Sequence, residues 1–217
     1  MLLVRELVKT FPTPQGPVEV LKGVSFDLCQ GESMALMGES GCGKSTLLHI
    51  IAGLEPASGG TVDFNGDLIT CFGERERAAL RQDKFSLIFQ QFNLITSLTV
   101  KDNIAFEAAL AGRIDADWIA ELTSRLKLDD VLDRYPEELS GGQQQRVAVA
   151  RTFAAKPALV LADEPTGNLD ETNSDEVIDI ALGLVRASGC SFLIVTHSER
   201  LAARADRTLR LSKGMLL

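Results

Sequence analysis

The chain has 217 residues, 45% hydrophobic and 24% charged, which is enough for one well-filled core, too few for two ordinary domains, and unlike disordered or fibrous compositions. Its 22 Lys and Arg against 30 Asp and Glu leave a net charge of -8, which argues against a nucleic-acid surface held by phosphate neutralisation. The longest apolar stretches, Leu47–Ala52 and Ala158–Ala162, fall far short of the roughly 20 residues of a membrane-spanning helix, so a membrane role requires another chain. The start of the chain has no signal-peptide pattern. Cys29, Cys42, Cys71 and Cys190 lack CxxC spacing and neither His49 nor His197 clusters with them, so free thiols in a reducing compartment fit better than a zinc site or a disulfide scaffold.

In chain order, Leu2–Val8 and Val18–Leu28 are rich in β-branched and apolar residues and are parted by Pro12, Pro14, Gly16 and Pro17, the pattern of a strand, a loop and a returning antiparallel strand. Ser33–Met37 reads as a short buried strand, followed by a Gly-rich turn and an apolar-periodic helix from Lys44 to about Leu54. Further short strands are predicted around Thr61–Phe64 and Phe85–Phe89. Helices then take over at Val100–Ala111, at Ala116–Leu126 and from about Gly141 to Ala155, so the middle third reads as a helical insertion. Strands return at Ala158–Ala162 and Ser191–Thr196 around a helix from about Thr172 to Ala187, the alternation of a parallel sheet with crossover helices. There is no internal repeat and no low-complexity segment.

Gly38-Glu39-Ser40-Gly41-Cys42-Gly43-Lys44-Ser45 fits G-x-x-x-x-G-K-[ST] between a predicted strand and a predicted helix. Glycines in such a loop let successive backbone N–H groups converge on phosphate oxygens, and the helix start adds its positive dipole end. Lys44 would reach the β and γ phosphates of a nucleotide and Ser45 would ligate Mg²⁺. Thr46 completes the candidate ATP-binding run.

The apolar run Ala158–Ala162 ends in Asp163-Glu164-Pro165, which the C-terminal edge of a parallel sheet would set beside the phosphate loop. There Asp163 would hold Mg²⁺ through water and Glu164 would polarise the attacking water. Taken alone, the same residues also fit a solvated turn capped by Pro165. Leu139-Ser140-Gly141-Gly142-Gln143 opens the long helix, and paired glycines beside a helix start make a second anion site with the Ser140 hydroxyl as an added donor. An ordinary serine N-cap would explain Ser140 but not the two glycines. Two phosphate-binding elements in a chain with one phosphate loop are most simply used if two chains meet head to tail, each lending the second element to the other's ATP.

Phosphate loop, Leu139–Gln143 and acidic strand end occur together in the order found in the ATP-binding cassette (ABC) family. The sequence resembles an ABC nucleotide-binding subunit over nearly its whole length. The resemblance implies an α/β fold in which a P-loop NTPase core with a mainly parallel sheet carries an N-terminal antiparallel β subdomain and an inserted α-helical subdomain. All of 1–217 would form a single ABC ATPase domain, with core and β subdomain at about 1–90 and 156–217 and the helical subdomain at about 91–155. Roles follow by resemblance as well. Phe11 falls where an aromatic ring stacks on adenine, and Gln90, in Phe89-Gln90-Gln91-Phe92, resembles the glutamine that senses Mg²⁺ and the membrane partner. Asn168-Leu169-Asp170 resembles the loop whose Asp crosses the dimer interface, and His197, after Ile194-Val195-Thr196, resembles the histidine that contacts the γ-phosphate. The catalytic set implied is Glu164, His197 and Gln90, and the metal set is Ser45, Gln90 and Asp163.

The chain departs from the common family pattern at Phe11, where Tyr is more usual, at Cys42, where Ser is frequent, and at Ser198, where Asp is frequent. None of these removes a catalytic group, but a thiol reagent on Cys42 is expected to crowd the phosphates and abolish ATP binding. Phe89–Leu94 and Ala162–Asp170 are most similar to the branch of lipoprotein-releasing, macrolide-exporting and cell-division ATPases. That branch implies an ATP-sandwich dimer of two copies, peripheral on the cytoplasmic face of the membrane, driving separate integral-membrane permease subunits, with no nucleic acid. Ending at Leu217 shortly after its last predicted strand, the chain is expected to carry no attached membrane or C-terminal regulatory domain. An ATP-dependent dimerisation switch without transport is the alternative reading.

Overall fold

The structure is a computed structural model that describes residues 1–217. The first half of the chain forms β1 (Leu2–Phe11), β2 (Val18–Leu28), β3 (Ser33–Met37), α1 (Lys44–Ile51), β4 (Gly59–Phe64), β5 (Asp67–Leu68), α2 (Glu74–Asp83), β6 (Phe85–Ile88) and α3 (Val100–Leu110). The second half forms α4 (Ala116–Arg125), α5 (Gly141–Ala154), β7 (Leu159–Asp163), α6 (Glu171–Ser188), β8 (Ser191–Val195), α7 (Glu199–Ala202), β9 (Arg207–Ser212) and β10 (Met215–Leu216). Two compact units result, Met1–Arg81 with Ser191–Leu217, and Gln82–Cys190.

In the first unit β1 and β2 pair antiparallel, from Leu2 opposite Leu28 to Phe11 opposite Val18, and β4 takes the other edge of β1. The pairing follows from the two β-branched runs and the proline-rich turn between them. Separately, β3 lies parallel to both β8 and β9. Every residue of β3 and β8 is buried, which is why both read as unbroken apolar runs rather than alternating ones. Leu36 stands opposite Val195, so the chain leaves the two strands level, with Gly38 and His197 each two residues beyond. Parallel strands deliver their following loops to one edge, where ligands of such sheets bind.

In the second unit β6 and β7 pair parallel, with Ile88 opposite Ala162. The same counting brings Gln90 and Glu164 out together, each two residues past a paired position. The helix α5 packs on α3, α4 and α6, and its burial runs almost unbroken from Val147 to Ala154. Phe85 and Phe153 are among the fully buried side chains that fill this unit.

Five elements do not correspond to the sequence reading, among them the two-residue strand β5 and the four-residue helix α7. The helix α2 has Leu80 as its one buried residue, so it shows no apolar stripe to read. In β9, which reads Arg-Thr-Leu-Arg-Leu-Ser, Leu211 is the one buried residue; β10 pairs with it in only two positions, Met215 with Ser212 and Leu216 with Leu211. These strands lie beyond Thr196, where the sequence reading placed its last strand, and α1 closes at Ile51 rather than near Leu54.

Candidate functional site

Between β3 and α1 the chain turns through the glycine-rich loop. Gly43 caps α1 at φ 108 and ψ 8, a left-handed conformation, and a Cβ there would lie 2.9 Å from Leu21 Cδ2, so both backbone and space demand glycine. Lys44 is buried, and its Nζ donates to the Gly38 and Glu39 carbonyls at 2.9 Å each, which draws the loop around the ammonium group. Glu39, Ser40, Gly41 and Ser45 are exposed and Thr46 is half-buried.

The start of α1 has no side-chain cap and no acidic residue in its first turn. By contrast α3, α4, α5, α6 and α7 are capped by Thr99, Asp115, Ser140, Asp170 and Ser198. A helix start without a side-chain cap keeps its positive end for an outside anion. His197 is exposed and lines, with Gly38, Glu39 and Arg210, a cleft of about 360 Å³ beside this loop. Ser198 accepts from Leu201 N at 3.3 Å, the capping task an aspartate would also perform, so this departure from the family pattern keeps its local function.

Phe11 ends β1, half-buried, with the Lys9 ammonium 4.6 Å from its ring centroid. Lys9 is itself fixed by Glu55 at 2.5 Å and the Pro56 carbonyl at 2.7 Å, so one face of the ring is anchored by a cation. Cys42 is buried and points under the loop, its Sγ 2.8 Å from where a Cβ on Gly38 would stand. The thiol therefore lies beneath the loop backbone, and the expected attack by reagents meets a covered group, whereas Cys29 and Cys71 are exposed.

In the second unit Asp163 closes β7 and Glu164 follows in the left-handed region at φ 47. A non-glycine residue there costs on the order of 1 kcal/mol or more and persists where its surroundings hold it; the Gly167 N–H to the Glu164 carbonyl at 3.0 Å is one such hold. Gln90 is exposed. Its carbonyl accepts from Asn168 Nδ2 at 2.9 Å.

The stretch after Gln90 is held by residues the sequence reading did not single out. Arg151 donates to the Asn93 carbonyl at 2.7 Å and the Phe92 carbonyl at 3.2 Å, and pairs with Glu107 at 3.3 Å. Burial pushes the Glu107 carboxyl up, opposed by Arg151 and by a hydrogen bond from Ser86. Asn103, wholly buried, accepts from Ile95 N at 2.8 Å and donates to the carbonyls of Ile95, Leu98 and Thr99 at 3.0 Å each. A polar residue on the buried face of α3 was the available signal for Asn103.

Ser140 caps α5 reciprocally: its hydroxyl accepts from Gln143 N at 3.3 Å and Gln143 Oε1 accepts from Ser140 N at 2.9 Å. Leu139 is buried, while Ser140 and Gly141 are exposed. Gly142 has a packing reason, because a Cβ there would meet Asn173 Oδ1 at 3.0 Å. Asn173 in turn donates from its backbone N to Asp170 Oδ1 at 3.0 Å and from Nδ2 to Asp170 Oδ2 at 2.5 Å. The backbone N–H of Asn173 and then its side-chain amide hold the Asp170 carboxyl below the usual range. The two glycines thus differ: Gly142 gives way to Asn173, and Gly141 stays at the open helix start.

A glycine-rich loop with the pattern G-x-x-x-x-G-K-S, set between the buried strand β3 and the helix α1, is the mark of a P-loop nucleotide-binding protein. The ABC transporter family matches residues 21–167 of the chain. The lipoprotein-releasing system ATP-binding protein LolD of Novosphingobium aromaticivorans is 43% identical over 215 residues, covering 98% of this chain and 96% of its own. The ABC transporter ATP-binding protein YbbA of Escherichia coli K12 is 42% identical over 216 residues, covering 98% and 95%. Among solved structures, the ATP-binding cassette MJ0796, seen as a dimer in a post-hydrolysis state with ADP and Pi, superposes with a TM-score of 0.90 at 31% identity, covering 100% of this chain and 96% of that one. The chain belongs to the ABC transporter family, as one of its ATP-binding cassettes, and has the α/β fold that the resemblance implies.

Proposed function

We propose that this cassette binds and hydrolyses ATP as a homodimer and so drives conformational change in separate integral-membrane subunits that export, release or pull on material across the membrane. The observation that carries the reading is the phosphate loop, closed on a buried Lys44 at a helix start with no side-chain cap. Phosphate oxygens arriving there meet loop N–H groups and the helix dipole, and Lys44 trades its bonds to the Gly38 and Glu39 carbonyls for charge-assisted ones. Phe11 stacks on the adenine.

The metal set assigned here, the Ser45 hydroxyl, the Gln90 amide oxygen and the Asp163 carboxylate, is made of hard oxygen donors, which suits Mg²⁺. Bound there, Mg²⁺ supplies charge neutralisation on the β and γ phosphates. Glu164 accepts the proton of the attacking water, with His197 and Gln90 at the γ-phosphate. Ser140, Gly141 and Gly142 of the second copy close over the same phosphates, and Asp170 faces that copy. Hydrolysis removes the bridging γ-phosphate, and two subunits that each carry a net charge of -8 part under mutual repulsion. In this scheme residues of about 91–155 serve as the helical arm of a single domain.

No helix of the chain is long and apolar enough to cross a membrane. As an ATP-binding cassette similar to the lipoprotein-releasing ATPases, it is assigned here to the cytoplasmic face, beneath the membrane subunits that set the cargo. The test is purification of the tagged chain from detergent-solubilised membranes, with companions identified by mass spectrometry and ATPase activity measured with and without them. A co-purifying multi-spanning protein that stimulates hydrolysis is the expected result. Soluble partners alone would contradict the transport reading and favour a dimerisation switch.

A further inference from the structure

The segment from Gln90 to Thr99 is held at three places, and the holds are unequal. Arg151, with its side chain 7% exposed and paired with Glu107, grips the carbonyls of residues 92 and 93. Asn103, wholly buried, grips residue 95 through both its N–H and its carbonyl. Breaking either strands a buried polar group, which is costly. At Gln90 itself the hold is the bond from Asn168 Nδ2 to the carbonyl, 2.9 Å long and exposed, where water can replace either partner.

The neighbouring residue supplies the room that this arrangement needs. A Cβ on Gly167 would lie 2.8 Å from Gln90 Nε2 and 3.2 Å from Gln90 Cδ, so the amide lies across position 167 because glycine is there. Gly167 closes a turn on the Glu164 carbonyl at 3.0 Å, and Asn168 sits in the overlapping turn closed by the Leu169 N–H on the Thr166 carbonyl at 3.1 Å. Two overlapping turns therefore run from Glu164 to the Asn168 side chain that bonds the Gln90 carbonyl.

We propose that Asn168 is a positioning residue for Gln90: its bond to the Gln90 carbonyl sets where the Gln90 amide stands relative to Glu164. Its release frees residues 89–91 while Arg151 and Asn103 keep the following segment in place. The inference rests on the assignment of Gln90 to the ATPase site. The test is a double-mutant cycle on the full chain, with hydrolysis followed against ATP concentration and binding of a fluorescent ATP analogue measured separately. Asn168→Ala is expected to lower kcat about five- to tenfold while KM and analogue affinity stay within about twofold. Asn168→Asp, which sets a carboxylate oxygen against the Gln90 carbonyl, is expected to lower kcat further, and Asn168→Gln, which keeps an amide donor, to recover part of it.

In a Gln90→Ala background, Asn168→Ala is expected to change kcat by less than about twofold. Amide exchange gives a readout that needs no turnover: Asn168→Ala speeds exchange at residues 89–91 and leaves residues 95–103 unchanged. Wild-type kcat in Asn168→Ala, or losses that multiply in the double mutant, would overturn the proposal. Wild-type kcat in Gln90→Ala alone would remove Gln90 from the ATPase site and the proposal with it, an outcome read from that single variant.

Discussion

At the scale of single residues the proposed nucleotide site turns on Lys44. The residue is 5% exposed and its ammonium donates to two carbonyls of its own loop, an arrangement that folding alone does not require of a lysine. Lys44→Ala is expected to weaken ATP binding at least tenfold, the order of one lost charge-assisted hydrogen bond of about 1.5–3 kcal/mol, measurable by calorimetric titration. The placement of Lys44 and Ser45 at a helix start behind a glycine-rich loop, and of Asp163 and Glu164 at a strand end, was legible in their spacing. The burial of Cys42 and the left-handed backbone of Glu164 were not, since both depend on how the loop and turn close. For Cys42 the consequence is kinetic: mass spectrometry after brief alkylation is expected to find Cys29 and Cys71 modified first, with ATP binding kept until Cys42 reacts. Loss of binding while Cys42 is still unmodified would show that the buried position does not protect the site.

At the scale of elements, the starts of α1, α5 and α6 divide the work. The first has no side-chain cap, while Ser140 and Asp170 cap the other two. Ser140→Ala is expected to cost about 1 kcal/mol of stability without nucleotide, read by urea unfolding, and in addition to slow ATP hydrolysis if the hydroxyl meets a phosphate of the opposing site. For Asp170 the sign follows from its depressed folded pKa. Its contribution is complete above the unfolded carboxyl value of about 4 and fades as pH falls through the lower folded value. The stability gap between wild type and Asp170→Ala is therefore expected to hold from neutral pH to about pH 4 and to shrink below it, measured by unfolding across that range; a gap that widened with acid would refute the cap. The strands β3, β7 and β8 were readable as apolar runs because they are buried on both faces. The helix α2 was not, because nine of its ten residues are not buried and nothing in its period separates it from a polar loop.

At the scale of the molecule, two parallel registers set the functional layout. One brings Gly38 and His197 to the same strand edge in the first unit, and the other does the same for Gln90 and Glu164 in the second. The sequence supplied the four residues but not the levels at which their strands pair, which only the sheets reveal. What the sequence did carry at this scale is the argument for two copies, because one chain holds a phosphate loop and a separate serine-glycine helix start. The measurement that tests this most directly is the mass of purified Glu164→Gln in solution, by size-exclusion chromatography with light scattering, with and without ATP and Mg²⁺. An ATP sandwich requires twice the chain mass with ATP, the single-chain mass without it, and no ATP-dependent species once Lys44→Ala is added. Single-chain mass at saturating ATP would contradict the shared site on which the proposed function rests.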